Sequence, residues 1–263
     1  MRLPGRPAAL ICTLLMLVVP VLAITYGWMD GNRHPNVGVW GIRADGEVQQ
    51  LCSGTLISPT VFLTAGHCAY YVEQVLGTNR AEVTFDATFS QSAAFHAGTI
   101  HVHPNFSSIR GPDPADIAVI VFDEPVVGIT PAALPPVGFL DQKFREEKLK
   151  NHLFTAAGYG AMAQFQHGAP GFAASADRRY VVSEFLALTG GWLHVSENPA
   201  TDNGGTCYGD SGGPTFFGAG ADETPYVVAT TSKGDSMYRA SDVRYRVDTP
   251  TAHEFLAQYV TLP

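Results

Sequence analysis

A chain of 263 residues, 46% apolar and carrying 27 glycines, 18 prolines and a formal charge of −8, is long enough for one large or two small packed units. The acidic balance excludes a nucleic-acid partner, because a basic face is what neutralises phosphate, and it argues for a soluble surface.

The N-terminus reads as a processing segment. Arg2 and Arg6 precede an apolar run from Ala8 to Ala23, whose small last residue is one that signal peptidase accepts. The run is shorter than the ~20 residues of a spanning helix, so residues 1–23 are expected to be a signal peptide and not a retained anchor. Removing them leaves 240 residues with a formal charge of −10, beginning at Ile24 and secreted to the extracellular side.

Beyond Ile24 short β-rich runs alternate with Gly, Pro, Asp and Asn. They are Val37–Ile42, Ser53–Ile57, Val61–Thr64, Ala81–Phe85, Ile117–Phe122, Val227–Thr231 and Val243–Val247. Runs of this length imply an all-β antiparallel sandwich or barrel rather than alternating βαβ units. Residues 161–178, rich in Ala and Gly, read as a flexible loop. Thr251–Val260, entered by Pro250 and apolar at Phe255, Leu256 and Tyr259, reads as a C-terminal helix.

Three motifs carry chemistry. Residues 63–68 are Leu-Thr-Ala-Gly-His-Cys, an apolar run ending at His67. Asp116 opens the run Asp-Ile-Ala-Val-Ile-Val-Phe. Residues 209–214 are Gly-Asp-Ser-Gly-Gly-Pro, where glycines let the backbone turn tightly and display Ser211 beside free N–H groups. A serine hydroxyl is a weak nucleophile until a base takes its proton and a third group orients that base. In these motifs, and in their order His, Asp, Ser, the chain resembles the trypsin/chymotrypsin family of secreted serine endopeptidases. An esterase with Gly-x-Ser-x-Gly would carry the order Ser, Asp, His.

The resemblance implies two antiparallel six-stranded β-barrels with a C-terminal α-helix. Residues 24–135 would form the first barrel and 136–263 the second, with the crossing near Ala132–Pro136 and the site in the cleft between them. It implies Ser211 as nucleophile, His67 as general base and then acid, Asp116 as the orienting carboxylate, and the N–H groups of Gly209 and Ser211 as the oxyanion hole. Ile24, freed by signal cleavage, would place its α-amine against Asp210. Cys52 and Cys68 would form a disulfide bracing His67. Cys207 has lost its partner, because Met237 and Tyr238 stand where the family's second cysteine falls, so it is expected to be a free buried thiol, with an intermolecular bridge as the alternative.

Pocket residues by the same resemblance are Gly205, Thr206, Tyr208, Ser232, Gly234 and Asp242. Gly205 stands where trypsin-like members keep an aspartate, while Asp242 faces the pocket base from the opposite wall, so specificity stays open between a basic and a broad preference. The implied partners are protein or peptide substrates of a monomer that needs no metal or cofactor. The alternative is a catalytically silent trypsin-like binding module.

Overall fold

The computed structural model describes residues 27–107, 115–166, 169–235 and 240–263; the expected signal peptide and Ile24 lie outside the described residues. After a two-residue strand, β1 (Trp28–Met29), the chain enters β2 (Val37–Ala44), β3 (Glu47–Ser58) and β4 (Val61–Thr64). Helix α1 (Gly66–Gln74) follows, then β5 (Arg80–Thr84), β6 (His96–Val102) and β7 (Ala118–Phe122). Strands β2 to β7 close into an antiparallel barrel in the order β2-β3-β4-β7-β6-β5.

The second half begins with helix α2 (Phe139–Arg145) and β8 (Leu153–Gly158), followed by β9 (Met162–Gln166) and β10 (Ala169–Ala173). Then come β11 (Arg179–Leu188), β12 (Trp192–Ser196), β13 (Pro214–Phe217), β14 (Val227–Gly234), β15 (Ser241–Arg246) and helix α3 (Pro250–Leu256). These strands run in the order β11-β12-β15-β14-β13-β8, and β8 pairs back onto β11 to close a second six-stranded barrel. Strand β1 pairs with β11, Trp28 opposite Tyr180, so the start of the described chain lies along the second barrel.

Alternation along β4 shows why the apolar runs are almost continuous. Val61 and Leu63 pack in a cluster that reaches Phe216, Tyr245 and Phe255 of the second half, whereas Phe62 packs with Trp40, Val83 and Ile120 of the first barrel. Successive strand residues point to opposite faces, and here both faces are buried. In β7 the same split sends Val119 one way and Ile120 the other. The barrels are thus held together by apolar packing across their shared face.

A buried polar cluster adds to that packing. Arg178, immediately before β11, donates from Nε to Asp30 at 2.8 Å and from Nη2 to Gly31 O at 3.0 Å. Its Nη1 reaches Val37 O at 3.0 Å, Phe85 O at 2.9 Å and Tyr159 Oη at 3.1 Å. One guanidinium therefore joins the N-terminal segment, the first barrel and the second. His34 sits between Asp30 and Glu223, with Nε2 at 2.8 Å from Glu223 and Nδ1 in a short contact with Asp30.

The expected loop at 161–178 contains a hairpin, with Gln166 paired to Ala169 and Met162 to Ala173. Its Ala and Gly content suggested a loop, but a ladder is made by backbone groups and a hairpin needs no strong strand formers. Among the described residues no helix is long and apolar enough to cross a membrane.

Cys52 on β3 and Cys68 on α1 form the expected disulfide, with Cα atoms 6.5 Å apart. Replacing both with serine is expected to cost ~3 kcal/mol by freeing a loop of about 15 residues in the unfolded chain. A thermal melt of the double variant measures it.

Candidate active site

The site forms where the loop after β4, the start of β7 and the loop before β13 converge on a cavity of about 460 Å³ lined by His67, Asp116 and Ser211. His67 is the second residue of α1. Gly66 before it lets the helix start lie against the Asp116 segment: a Cβ there would stand 2.9 Å from the Ile117 nitrogen. In that position the His67 backbone N–H donates to Asp116 Oδ1 at 2.9 Å, and His67 Nδ1 lies 3.1 Å and 3.0 Å from the two carboxylate oxygens.

Asp116 is buried, and Ser232 donates its hydroxyl to Oδ2. Burial alone would raise the Asp116 pKa. The nearby His67 and the hydrogen bonds from His67 and Ser232 outweigh it and hold the carboxyl below its ordinary value. An ionised Asp116 fixes the histidine with its proton on Nδ1, which leaves Nε2 as the basic nitrogen.

The Ser211 loop is shaped by close approach. Gly212 has φ +78°, and a Cβ on it would lie 2.2 Å from Thr64 Oγ1 and 2.5 Å from the Ala65 nitrogen. Only glycine lets this loop press against the turn that carries His67. Ser53 clamps the loop from β3: its N–H donates to Ser211 O at 3.0 Å, and its hydroxyl donates to Gly209 O at 2.9 Å while accepting from Tyr159 N at 3.0 Å. Among the described residues the N–H groups of Gly209 and Ser211 meet no acceptor. Two unpaired donors on one short loop suit a developing oxyanion.

The structure sorts the expected pocket residues into two layers. Thr206, Tyr208, Ser232 and Gly234 line the cavity, with Tyr208 exposed at its rim. Gly205 and Asp242 do not line it; both are buried behind Thr206, which donates its hydroxyl to Asp242 Oδ2 at 2.6 Å. Asp242 is also paired with Arg244 at 2.8 Å.

Asp210 is fully buried, accepting from Gly160 N at 2.7 Å and Cys207 N at 2.8 Å. Burial wins over these bonds and pushes its pKa up to about 7. Cys207 is a free buried thiol, pushed up to about 12 mainly by burial.

Sequence reasoning missed Ser53 altogether and placed Ser232 only on the pocket wall. Neither serine belongs to a local motif that marks its bond across the barrels.

A family model described as Trypsin matches residues 30–255, most of the chain. A solved structure described as HL collagenase aligns with a TM-score of 0.64 at 19% identity, covering 90% of this chain and 97% of that one. At such identity the likeness speaks to the fold.

Proposed function

The chain belongs to the trypsin family, and from that premise we propose that it is a secreted serine endopeptidase hydrolysing peptide bonds through an acyl-enzyme. Ser211 Oγ attacks the scissile carbonyl as His67 Nε2 takes its proton, and the N–H groups of Gly209 and Ser211 receive the oxyanion. His67, now an imidazolium stabilised by Asp116, returns the proton to the leaving amine. Water repeats the sequence to free the acyl group.

The observation that carries this reading is the arrangement of His67 Nδ1 on both oxygens of a buried Asp116 at the wall of a cavity it shares with Ser211. Such a pair has little structural use at a cavity wall and fits a base held in one tautomer.

Asp210 supports a further element of the reading. A buried carboxylate bonded, among the described residues, only to backbone N–H groups and pushed up to about 7 gains from an ammonium partner. The α-amine of Ile24, freed by signal cleavage, supplies one.

A fluorophosphonate probe is expected to label Ser211, and the same sample to digest casein. N-terminal sequencing of the labelled protein is expected to begin at Ile24; a different start removes the pairing with Asp210. Absence of label on Ser211 favours a catalytically silent binding module.

A further inference from the structure

We propose that Glu197 is the specificity residue of this site, presenting its carboxylate to the lysine or arginine side chain that precedes the scissile bond. This inference rests on the peptidase reading above. Glu197 directly follows β12, its N–H donates to Ala240 O at 3.1 Å, and its side chain is fully buried.

The geometry at Gly205 carries the argument. A Cβ built on Gly205 would stand 2.0 Å from Glu197 Oε1 and 2.2 Å from Glu197 Cδ. The Glu197 carboxylate therefore occupies the volume into which a side chain at 205 would grow. Glycine at 205 and glutamate at 197 are two halves of one arrangement, in which a neighbouring strand delivers the carboxylate that position 205 lacks. Two lining residues connect the cavity to this cluster: Thr206 bonds Asp242, and Gly234 is the register partner of Asp242.

Counting donors and acceptors shows what the cluster takes. Asp242 Oδ2 is satisfied by Thr206 N at 3.2 Å, Thr206 Oγ1 at 2.6 Å and Arg244 Nη2 at 2.8 Å. Arg244 Nη1 is used by Thr215 Oγ1 at 2.9 Å. With Glu197 ionised, both its oxygens and Asp242 Oδ1 are acceptors without a donor among the described residues, against Arg244 Nε as a single donor; in the neutral acid the one Glu197 hydroxyl is shared with the neighbouring Asp235 carboxyl, and the acceptor surplus persists. A buried acceptor without a donor is strongly unfavourable. An ammonium or guanidinium brings only donors, an apolar side chain brings none, and an acidic one adds acceptors to the surplus. Arg244 is paired with Asp242, so an ionised Glu197, with Asp235 beside it, carries negative charge that a basic side chain neutralises.

The surroundings of Glu197 favour its neutral acid form. Burial first, and then the negative charge of Asp242, push its pKa up against the opposing pull of Arg244. Asp235, after β14, adds to the rise, while Asp210 and Cys207 face the same cluster from the nucleophile loop. Entry of a basic side chain releases that proton to solvent and leaves a carboxylate paired with the cation.

The test is a series of peptide p-nitroanilides with Arg, Lys, Leu, Phe or Glu before the scissile bond. Wild type is expected to favour Arg and Lys over Leu in kcat/KM by at least about 100-fold, and Glu197→Gln to lose most of that ratio. Moving the carboxylate back, with Glu197→Gly combined with Gly205→Asp, is expected to restore the preference, which separates lost recognition from a damaged fold. Calorimetry of benzamidine, a cation that needs no turnover, should show binding to Ser211→Ala and none when Glu197→Gln is added. A wild-type preference for Leu, Phe or Glu, or an Arg-to-Leu ratio indifferent to Glu197→Gln, overturns the assignment. Benzamidine binding that depends on Glu197 in a protein that cleaves nothing keeps this inference and removes the peptidase reading. Cleavage with a ratio indifferent to Glu197→Gln does the reverse.

Discussion

Replacing Ser211 with alanine is expected to lower kcat on peptide substrates by about a millionfold, with a thermal melt that stays near that of the wild type. The two halves of this expectation come from different atoms of one residue. The hydroxyl has the chemical role, whereas Ser211 is held in the fold by its backbone, through the bond from Ser53 N at 3.0 Å. Alanine keeps that bond. Because nucleophile and base act as one unit, adding His67→Ala to Ser211→Ala should cost little more than either alone. The residual rate, still some 10³-fold above water, would come from the backbone donors of Gly209 and Ser211, which the substitution leaves in place. Active-site-titrated kinetics on a p-nitroanilide checks the loss, and retained turnover in Ser211→Ala removes the assignment.

Arg178→Met is expected to be the most damaging single change to stability, at about 3–5 kcal/mol. Methionine fills part of the volume but donates no hydrogen bond. The fully buried Asp30 then loses its cation, and Val37 O, Phe85 O and Gly31 O lose a donor in a region closed to water. In a domain of this size each kcal/mol moves the melting temperature by roughly 2–4 °C, so a fall of about 10 °C is the expected reading.

The same cluster makes part of the stability depend on pH. Burial alone would raise Asp30, yet its bonds to His34 and Arg178 bring it down to about 2. Its contribution is therefore present above the ordinary carboxylate value and is lost as pH falls toward that depressed one. Burial alone would lower His34, but Asp30 and Glu223 raise it above 6.5. The His34 contribution is therefore full below 6.5 and fades as pH climbs through the raised value. The melting difference between wild type and His34→Gln should accordingly be larger at acidic than at alkaline pH.

The barrels were legible in the sequence because strand burial is written locally. Val61–Thr64 and Val227–Thr231 are short runs of strand formers bounded by turn residues, and both lie in strands. The β9–β10 hairpin was not, since its pairing is carried by the backbone of an Ala- and Gly-rich segment. Helix α1 was not foreseen either: its nine residues, Gly66–Gln74, follow β4 after a single residue and show no capping side chain.

The motifs that mark His67, Asp116 and Ser211 are each a few residues long, so proximity along the chain announces them. Ser53, Glu197 and Arg178 carry no such mark. Their roles arise where strands far apart in sequence meet, as Ser53 meets Gly209 and Arg178 meets Val37. A buried charge also looks like any surface charge in a sequence, and nothing local to Arg178 or Glu197 marks either as buried.

The Arg178 cluster also sets a limit on maturation. Asp30, which carries the charge opposite this guanidinium, lies only three residues after the first described residue, Gly27. Trimming that stops before Asp30 leaves the ion pair intact. An exopeptidase or a misplaced cleavage that goes one residue further strips a buried cation of its counter-charge, and at that point N-terminal processing turns into unfolding.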